Sequence, residues 1–460
     1  MGIAPARPSS AIFADNFKET PYWWDSLPRA DEVAPEPPPK ATDVAIVGGG
    51  LTGVSAAYEL ARAGREVVVL DAAEPGSGAS TRNHGMLGRN FKHPFRELMA
   101  TIGLNETVGY YRELHEAYAT AVDRIRDEKF DCQFRKTGRF IGALSPAHYE
   151  RLAREYELRA KHLGESVEIV PTSEQVEIGA AHYHGGVIIH DNAALQPALY
   201  YRAMRRRAER AGAAVVGNTA VTGIERREGK FQIHTSRGDI AARDVLIATN
   251  GYTTGPTRWH RERLVPINAY TVVTEPLAES TAKALLPGHR TYHDNRRRSN
   301  PFALAPDGSN RLLFGSRTGL LAPASLRGLA TKIHADMLFF FPQLDGVKLT
   351  HAWHGRCAAT WDLFPHTGMQ DGIHYALGYC FSGNAMAPYL GGKSALRILG
   401  APEARTRFDN GRFPHVPLPA RSRWFMPALM TYYSWADRPV APQPVAVGAN
   451  QRPAPKLRRS

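Results

Sequence analysis

The chain is poor in cysteine: Cys132, Cys357 and Cys380 are the only three in 460 residues. None stands in a C-x-x-C spacing, which argues against structural zinc or another metal site and against a disulfide framework, and fits a reducing cytoplasm. Long apolar runs are missing too. No stretch reaches the roughly 20 residues that a spanning helix needs, and residues 1–20 have no signal-peptide apolar centre. Internal repeats are absent, and only one dinucleotide fingerprint is found. Hydrophobic residues at 43% and charged residues at 22% are ordinary for a soluble globular protein, and the length allows two domains with sizeable cores. The net charge of +13 invites a nucleic-acid reading, but its distribution opposes one. Residues 401–460 hold ten Lys/Arg against three acids, mostly isolated among prolines, while Arg205–Arg207 and Arg296–Arg298 read as solvated faces. An anionic partner or substrate stays open, as does the oligomeric state.

What is present is concentrated in residues 42–71, TDVAIVGGGLTGVSAAYELARAGREVVVLD. A β-rich run, Val44–Val47, enters a glycine turn. An Ala-rich helix follows, then a second apolar run, Glu66–Leu70, ending at Asp71. Gly48 allows a tight turn, Gly50 lets the backbone approach a pyrophosphate, and Gly53 lets helix and strand pack closely. The amides of Leu51 and Thr52 open the helix, whose N-terminus favours phosphate. Asp71, followed by Ala72, is placed to accept a ribose hydroxyl. A bare GxGxxG is weak evidence, but here strand, turn, helix, second strand and terminal acid occur in order, so a dinucleotide site is expected. Residues 76–88, GSGASTRNHGMLG, are small, polar and glycine-rich, where a nicotinamide dehydrogenase would continue into helix–strand alternation. Ser80, Arg82, Asn83 and Gly85 offer a hydroxyl, a cation, an amide and close approach for phosphate and ribityl groups.

This loop resembles the A-S-x-R-N-x-G segment of the D-amino-acid-oxidase-like FAD-dependent amine oxidoreductases, a family that includes sarcosine, glycine and γ-glutamylputrescine oxidases. The resemblance runs from about residue 40 to about 400. Ala194-Leu195-Gln196-Pro197 before a helix over Ala198–Ala211 looks like the segment leading back to the FAD domain. Ala213–Ile224 looks like the strand whose Val221 meets the cofactor through its backbone. Asp244–Tyr252 carries the A-T-N-G turn, with Thr249, Asn250 and Gly251 near the phosphates. Trp353-His354-Gly355-Arg356, with Thr360, Asp362, Pro365 and Gly368, looks like the family's W-x-G…T-x-D-x-x-P-x-x-G stretch. Gly378-Tyr379-Cys380-Phe381-Ser382-Gly383, before a helix through Leu399, looks like the closing glycine turn beside the flavin pyrimidine. The resemblance adds Thr81, His84, Met86 and Leu87 to the loop residues expected to touch FAD.

The implied fold is α/β: a discontinuous, glutathione-reductase-like Rossmann domain for FAD (residues 40–90, 180–258 and 350–400) and a mixed-sheet α+β substrate domain (91–179 and 259–349). The latter is expected to hold helices over Phe95–Asp127 and Ala147–Leu163, a strand pair near Gln133–Leu144, and a helix over Leu326–Phe341. Residues 1–40 form a Pro-rich arm expected to lie extended on the surface, with Tyr22-Trp23-Trp24 packing there or at a subunit contact. Residues 401–460 form an extension with a tail, 440–460, of disordered composition.

The implied activity is oxidation of the C–N bond of a primary or secondary amine by hydride transfer to flavin N5. The imine then hydrolyses to an aldehyde or keto compound plus ammonia or a smaller amine. Oxygen, giving H2O2, and a respiratory carrier both stay open as acceptor. Tyr270, Trp353, Tyr379 and Phe381 are candidate cavity walls, with His84 and Asn384 as further candidates; core packing is the competing reading for each aromatic. Some relatives hold FAD through a histidine on this loop, after a Thr-Trp pair, but Asn83 occupies that place here. The cysteine that sarcosine oxidases use falls at Gly355, two residues from Cys357. FAD is therefore expected to be noncovalent. Ala303 stands where an arginine over the flavin is common, and Asn384 where His or Val is frequent. Both favour an amine without an α-carboxylate, or with a carboxylate far from nitrogen. A flavin monooxygenase would need a G-D motif in the third FAD segment and an NADPH site, neither of which is visible. A non-catalytic flavoprotein is disfavoured by retention of every glycine turn.

Overall fold

The computed structural model of the protein describes residues 12–27, 37–89, 91–180, 182–294, 296, 299–319, 323–409, 411–417 and 428. The tail over 440–460 lies outside these residues.

Two large sheets dominate. The apolar runs of the fingerprint become the centre of an eight-stranded sheet, in which strand Ala41–Val47 pairs in parallel with Val67–Leu70 on one side and with Ile240–Ile247 on the other. Val44, Ile46, Val68 and Val69 are fully buried, the near-continuous apolar pattern of parallel strands covered on both faces. Strand Ala214–Val216 extends one edge and the antiparallel pair Val221–Arg227 and Lys230–Thr235 the other, while the hairpin His366–Gln370 and Ile373–Leu377 joins through Ile240–Ile247. Helix Leu51–Arg62 lies in one core cluster with helices Gly383–Ile398 and Pro197–Arg210. Gly391 lets two of these helices approach closely, because a Cβ there would strike the Thr52 carbonyl.

The nine-stranded sheet is mixed. Its order is Phe13–Lys18, Leu349–Thr360, Leu264–Thr274, Leu312–Gly319, Phe302–Leu304, Thr291–Asp294, Arg139–Gly142, Gly186–Ile189 and Val167–Val170. The long antiparallel pair Leu264–Thr274 and Leu349–Thr360 runs from Leu264 opposite Thr360 to Thr274 opposite Leu349. Helix Leu326–Phe340 covers it with Ile333, Met337 and Phe340, started by Ser325, whose hydroxyl accepts the Gly328 N–H at 3.1 Å. This α/β architecture, with a Rossmann-type sheet and a mixed sheet, is the one expected from sequence.

Several details differ. The arm is not simply extended, because Phe13–Lys18 adds to the edge of the mixed sheet, parallel to Leu349–Thr360. Strands Gly186–Ile189 and Leu349–Thr360, assigned by sequence to FAD-binding pieces, pair into the mixed sheet. The first long helix breaks at Gly103, φ 85°, into Phe95–Ile102 and Leu104–Asp127. Only one strand, Arg139–Gly142, forms in the region read as a pair, since Gln133 and Gly138 turn the chain at φ 52° and 66°. The stretch Ala213–Ile224 is cut by Asn218, φ 51°, into Ala214–Val216 and Val221–Arg227.

Candidate active site

The glycine turn sits at the carboxyl end of Ala41–Val47, where open α/β sheets hold their ligands. Gly48 has φ 112°, and a Cβ there would lie 2.7 Å from the Ala248 carbonyl. A Cβ on Gly53 would collide with the Gly48 carbonyl, so helix and turn touch directly. Gly50 caps the helix without a side chain of its own, and a Cβ there would come within 2.9 Å of Ser80 Oγ. Ser80 Oγ accepts the Leu51 N–H at 2.9 Å, tying the second loop to the helix start. Thr52 Oγ1 and Tyr379 OH lie 2.7 Å apart. The Asp71 carboxylate accepts the Gly49 N–H at 2.8 Å and the Ala73 N–H at 3.0 Å, Ala72 lying between. Burial raises its pKa against these two bonds.

The loop over residues 76–88 is held on three sides. Asn83 braces it internally, donating to the Ala79 and Ser80 carbonyls at 3.0 Å and accepting the Gly85 N–H at 2.8 Å. Asn384, at the start of helix Gly383–Ile398, donates to Asn83 Oδ1 and to the Met86 carbonyl, both at 3.0 Å. Met86–Leu87 pairs antiparallel with Ala193–Ala194. From the mixed sheet, Trp353 Nε1 donates to the Arg82 carbonyl at 2.9 Å and Thr271 Oγ1 lies 3.0 Å from His84 Nε2. Gly355 approaches so closely that a Cβ would lie 3.0 Å from Arg82 Cβ. Strand alternation puts Thr271 and Ala269, with Trp353, Gly355 and Cys357 opposite, on one face. That face looks onto the loop.

Two neighbouring turns are strained. Asn250, φ 42°, uses its side-chain oxygen to accept the Gly378 N–H at 2.9 Å, so the turn at Thr249–Gly251 holds the third glycine turn. Gly251 must lack a side chain because the Arg356 carbonyl lies 2.6 Å from where its Cβ would be. Cys380 and Phe381 adopt φ 48° and 73° just before Gly383, conformations that persist where the surroundings enforce them. Val221 starts the strand that begins two residues after Thr219, whose N–H bonds the Asp71 carbonyl at 2.7 Å.

Not all candidates line the same space. Two of them reach the surface: His84 is partly exposed yet desolvated, its pKa pushed down to about 4 by burial, and Phe381 is 43% exposed. Trp353 is 0% exposed and packs edge-on against Trp23, so it is core and not a cavity wall. Tyr270 and Tyr379 are likewise buried, Tyr270 within the core of the mixed sheet and Tyr379 against Thr52. Aromatic residues at motif positions do not by themselves reveal which face they occupy. Asn384 acts on the loop, positioning Asn83 and Met86.

Sequence reasoning missed the clasp formed by the arm. Trp23 Nε1 donates to the Asn83 carbonyl at 2.7 Å, Trp24 Nε1 donates to Thr81 Oγ1 at 3.0 Å, and the Arg82 guanidinium lies 4.6 Å over the Trp24 ring. Tyr201, whose hydroxyl donates to the Gly49 carbonyl at 2.6 Å, was missed as well. Tyr22-Trp23-Trp24 was noticed as aromatic, but no local signal says what it touches.

These residues fit FAD. The glycine turn and helix start suit a pyrophosphate, the Asp71 oxygens a ribose, and the loop with its unpartnered buried His84 Nδ1 a polar ring system. The profile of the FAD-dependent oxidoreductase (DAO) family matches residues 43–395, and the chain belongs to that family: it is an FAD-dependent oxidoreductase. Gamma-glutamylputrescine oxidoreductase of Escherichia coli is 28% identical over 404 residues, covering 86% of this chain and 93% of that protein. The probable oxidoreductase OrdL of Haemophilus influenzae is 27% identical over 402 residues, covering 86% and 91%. Among solved structures, glycine oxidase from Geobacillus kaustophilus superposes with a TM-score of 0.67 at 22% identity, covering 82% of this chain and 99% of that one. Among the described residues, no helix is long and apolar enough to cross a membrane.

Proposed function

We propose that the protein oxidises the C–N bond of a primary or secondary amine, giving an imine that hydrolyses to an aldehyde or keto compound plus ammonia or a smaller amine. The observation that carries this reading is the meeting of the two sheets at the loop over 76–88, where Thr271, Trp353 and Gly355 close over His84 and Arg82. In this reading the eight-stranded sheet carries the cofactor and the mixed sheet faces the substrate. Relatives named for putrescine-derived and glycine substrates support an amino compound.

When bound, FAD supplies the two-electron acceptor. The chain's residues do the rest. His84, neutral because burial lowers its pKa to about 4, adds no positive charge beside the amine. The desolvated surroundings favour the unprotonated amine, the form whose α-C–H is hydridic. Turnover therefore rises with pH until the bound amine has lost its proton. Oxygen, yielding H2O2, or another carrier takes the electrons afterwards. We take FAD to be noncovalent: acid precipitation should leave it in the supernatant and a polypeptide of unmodified mass in the pellet.

The test is anaerobic addition of an amine panel to the purified protein. Loss of the oxidised-flavin band near roughly 450 nm without NADPH is the expected result. Reduction by NADPH and by no amine, amino acid or N-alkyl compound would overturn it.

A further inference from the structure

Strand Leu349–Thr360 ends in a three-residue turn, Trp361-Asp362-Leu363, closed by the Leu363 N–H on the Thr360 carbonyl at 3.3 Å. Its middle residue is tied back to the fold: the Asp362 carboxylate accepts the Phe364 N–H at 3.2 Å and lies 2.9 Å from His366 Nε2. The two flanking side chains are left outside, Trp361 48% and Leu363 38% exposed. Leu363 stands at φ 59°, in the left-handed region where a leucine is strained and a glycine is not. Burial does not offset that strain, because the side chain is exposed. The neighbouring turn repeats the arrangement. Phe381, exposed and at φ 73°, follows Cys380, whose N–H bonds the Ala358 carbonyl at 3.1 Å. Among the described residues, Leu363 and Phe381 are the only large apolar side chains that combine exposure with positive φ. Both belong to turns at the end of one strand.

Positive charge flanks this tip. Leu264 lies opposite Thr360 in the strand pair, so the short helix Arg258–Arg261 before it stands beside the turn, with Arg258 and Arg261 exposed. On another side, the Phe413 ring stacks 4.5 Å from the ring of His366, the partner of Asp362, and exposed Arg412 precedes it. The nearby acids are engaged within the fold, Glu262 with Arg258 at 3.0 Å and Asp362 with His366. The chain as a whole carries +13. Exposed apolar residues scattered singly are ordinary. Here a strained backbone holds one of them outward, a tryptophan accompanies it, and arginines stand beside both. A lipid interface binds that combination: an indole that prefers the headgroup level, an aliphatic side chain that enters the acyl boundary, and cations for anionic headgroups. A protein partner would need roughly 800 Å² of matched surface, far more than a three-residue turn presents.

We infer that this face is a docking surface for an anionic lipid bilayer, with Trp361 and Leu363 entering the headgroup boundary and Arg258, Arg261 and Arg412 facing the lipid phosphates. The attachment is peripheral and needs no spanning helix. Each cation brought near an anionic surface strengthens binding by about 5-fold, and the two apolar side chains fix which face of the protein meets the lipid. Docking in this pose sets the third glycine turn, and with it one edge of the cofactor site, toward the bilayer. The inference goes beyond the amine-oxidase reading and does not depend on it.

The test is co-sedimentation of the whole chain, loaded with FAD, with vesicles of phosphatidylcholine alone or of equimolar phosphatidylcholine and phosphatidylglycerol. Wild-type protein should partition onto the anionic vesicles at least about 10-fold more strongly than onto the neutral ones, and raised salt should release it. Combining Trp361→Ser with Leu363→Gly should weaken that partitioning by about 10-fold. Melting temperature and flavin content should hold in this variant, because both side chains are exposed and glycine accepts φ 59°. Should the double variant fail to fold, Trp361→Ser alone gives the same comparison. Wild-type protein that stays off the anionic vesicles overturns the inference, as does equal binding to both vesicle types. Partitioning that is unchanged in the variant also overturns it, assigning lipid contact to charge elsewhere, such as the arginines among residues 401–460. Self-association that depends on Trp361, without vesicle binding, would make the face a contact between copies and equally overturns it.

Discussion

Gly50 shows how one missing methyl group can decide whether a cofactor stays. A Cβ at this position would meet Ser80 Oγ at 2.9 Å, the same oxygen that accepts the Leu51 N–H. Valine adds two further carbons in the space where the backbone must approach phosphate. Gly50→Val should therefore purify without the yellow flavin, and a full flavin complement in that variant would refute the assignment. His260 makes a different residue-scale case. It is 3% exposed, packed edge-on against Trp259 and Tyr375, and neither ring nitrogen has a hydrogen-bond partner among the described residues. Burial, with a smaller push from Arg263, lowers its pKa to about 4. Because the folded value lies below the unfolded one, the unfolded chain takes up the proton first as pH falls. The stabilisation is whole above about pH 6.5 and is lost toward pH 4, by up to about 3 kcal/mol at roughly 1.4 kcal/mol per pH unit. Melting temperatures at pH 7.5 and 5 should converge in His260→Phe relative to wild type; an unchanged gap between them counts against this account. His84 and His293, whose pKa values desolvation also lowers, should leave part of the gap in place.

At the scale of elements, the arm matters more than its composition suggests. Trp23 is 1% exposed, and with Trp24 it supplies two indole donors to the cofactor loop. Gln196 anchors the arm from the other side, donating to the Trp23 carbonyl at 2.8 Å and to Ser26 Oγ at 2.7 Å. Replacing Trp23 by alanine removes a large buried side chain, a change that costs about 3–5 kcal/mol, and frees the Asn83 carbonyl from its donor. The expected outcome is a lower melting temperature together with weaker FAD retention, read as flavin fluorescence released on dilution. A variant that melts lower but keeps FAD with wild-type affinity would make the arm merely structural. The contrast with the cofactor loop explains what could be read in advance. The glycine turn, Asp71, the loop at 76–88 and the A-T-N-G turn are local patterns, each with a meaning inside about ten residues. The bonds from Trp23 to Asn83 and from Asn384 to Met86 span 60 and 298 residues, and nothing local specifies them. For the same reason Trp353 was legible as a motif residue with cavity wall and core both open, and only the fold assigns it to the core.

At the scale of the whole molecule, the chemistry depends on how closely two independently built sheets approach. Three contacts set that distance: the Trp353 indole on the Arg82 carbonyl, His84 beside Thr271, and Arg82 Nη1 donating to the His354 carbonyl at 3.3 Å. Between them lies Gly355, opposite Ala269 in the strand pair. The space for a Cβ at Gly355 is bounded by Arg82 Cβ at 3.0 Å and the Arg82 carbonyl at 3.1 Å. Alanine would fit only if the loop yielded by a few tenths of an ångström. Valine adds two carbons that have nowhere to go, so the mixed sheet must lift from the loop and stretch all three contacts. Neither sheet's own core need change, because the strand pair remains and both clusters are intact. The predicted phenotype is therefore graded and specific. Gly355→Ala should keep FAD and slow flavin reduction by the best amine of the panel by about 10-fold, since even small misplacement of reacting groups costs rate steeply. Gly355→Val should lose most of its FAD while the polypeptide still melts cooperatively. Stopped-flow bleaching and the ratio of flavin to protein absorbance read the two effects apart. If Gly355→Val retained its flavin and was reduced at the wild-type rate, the contact between sheets would not be what aligns cofactor and substrate.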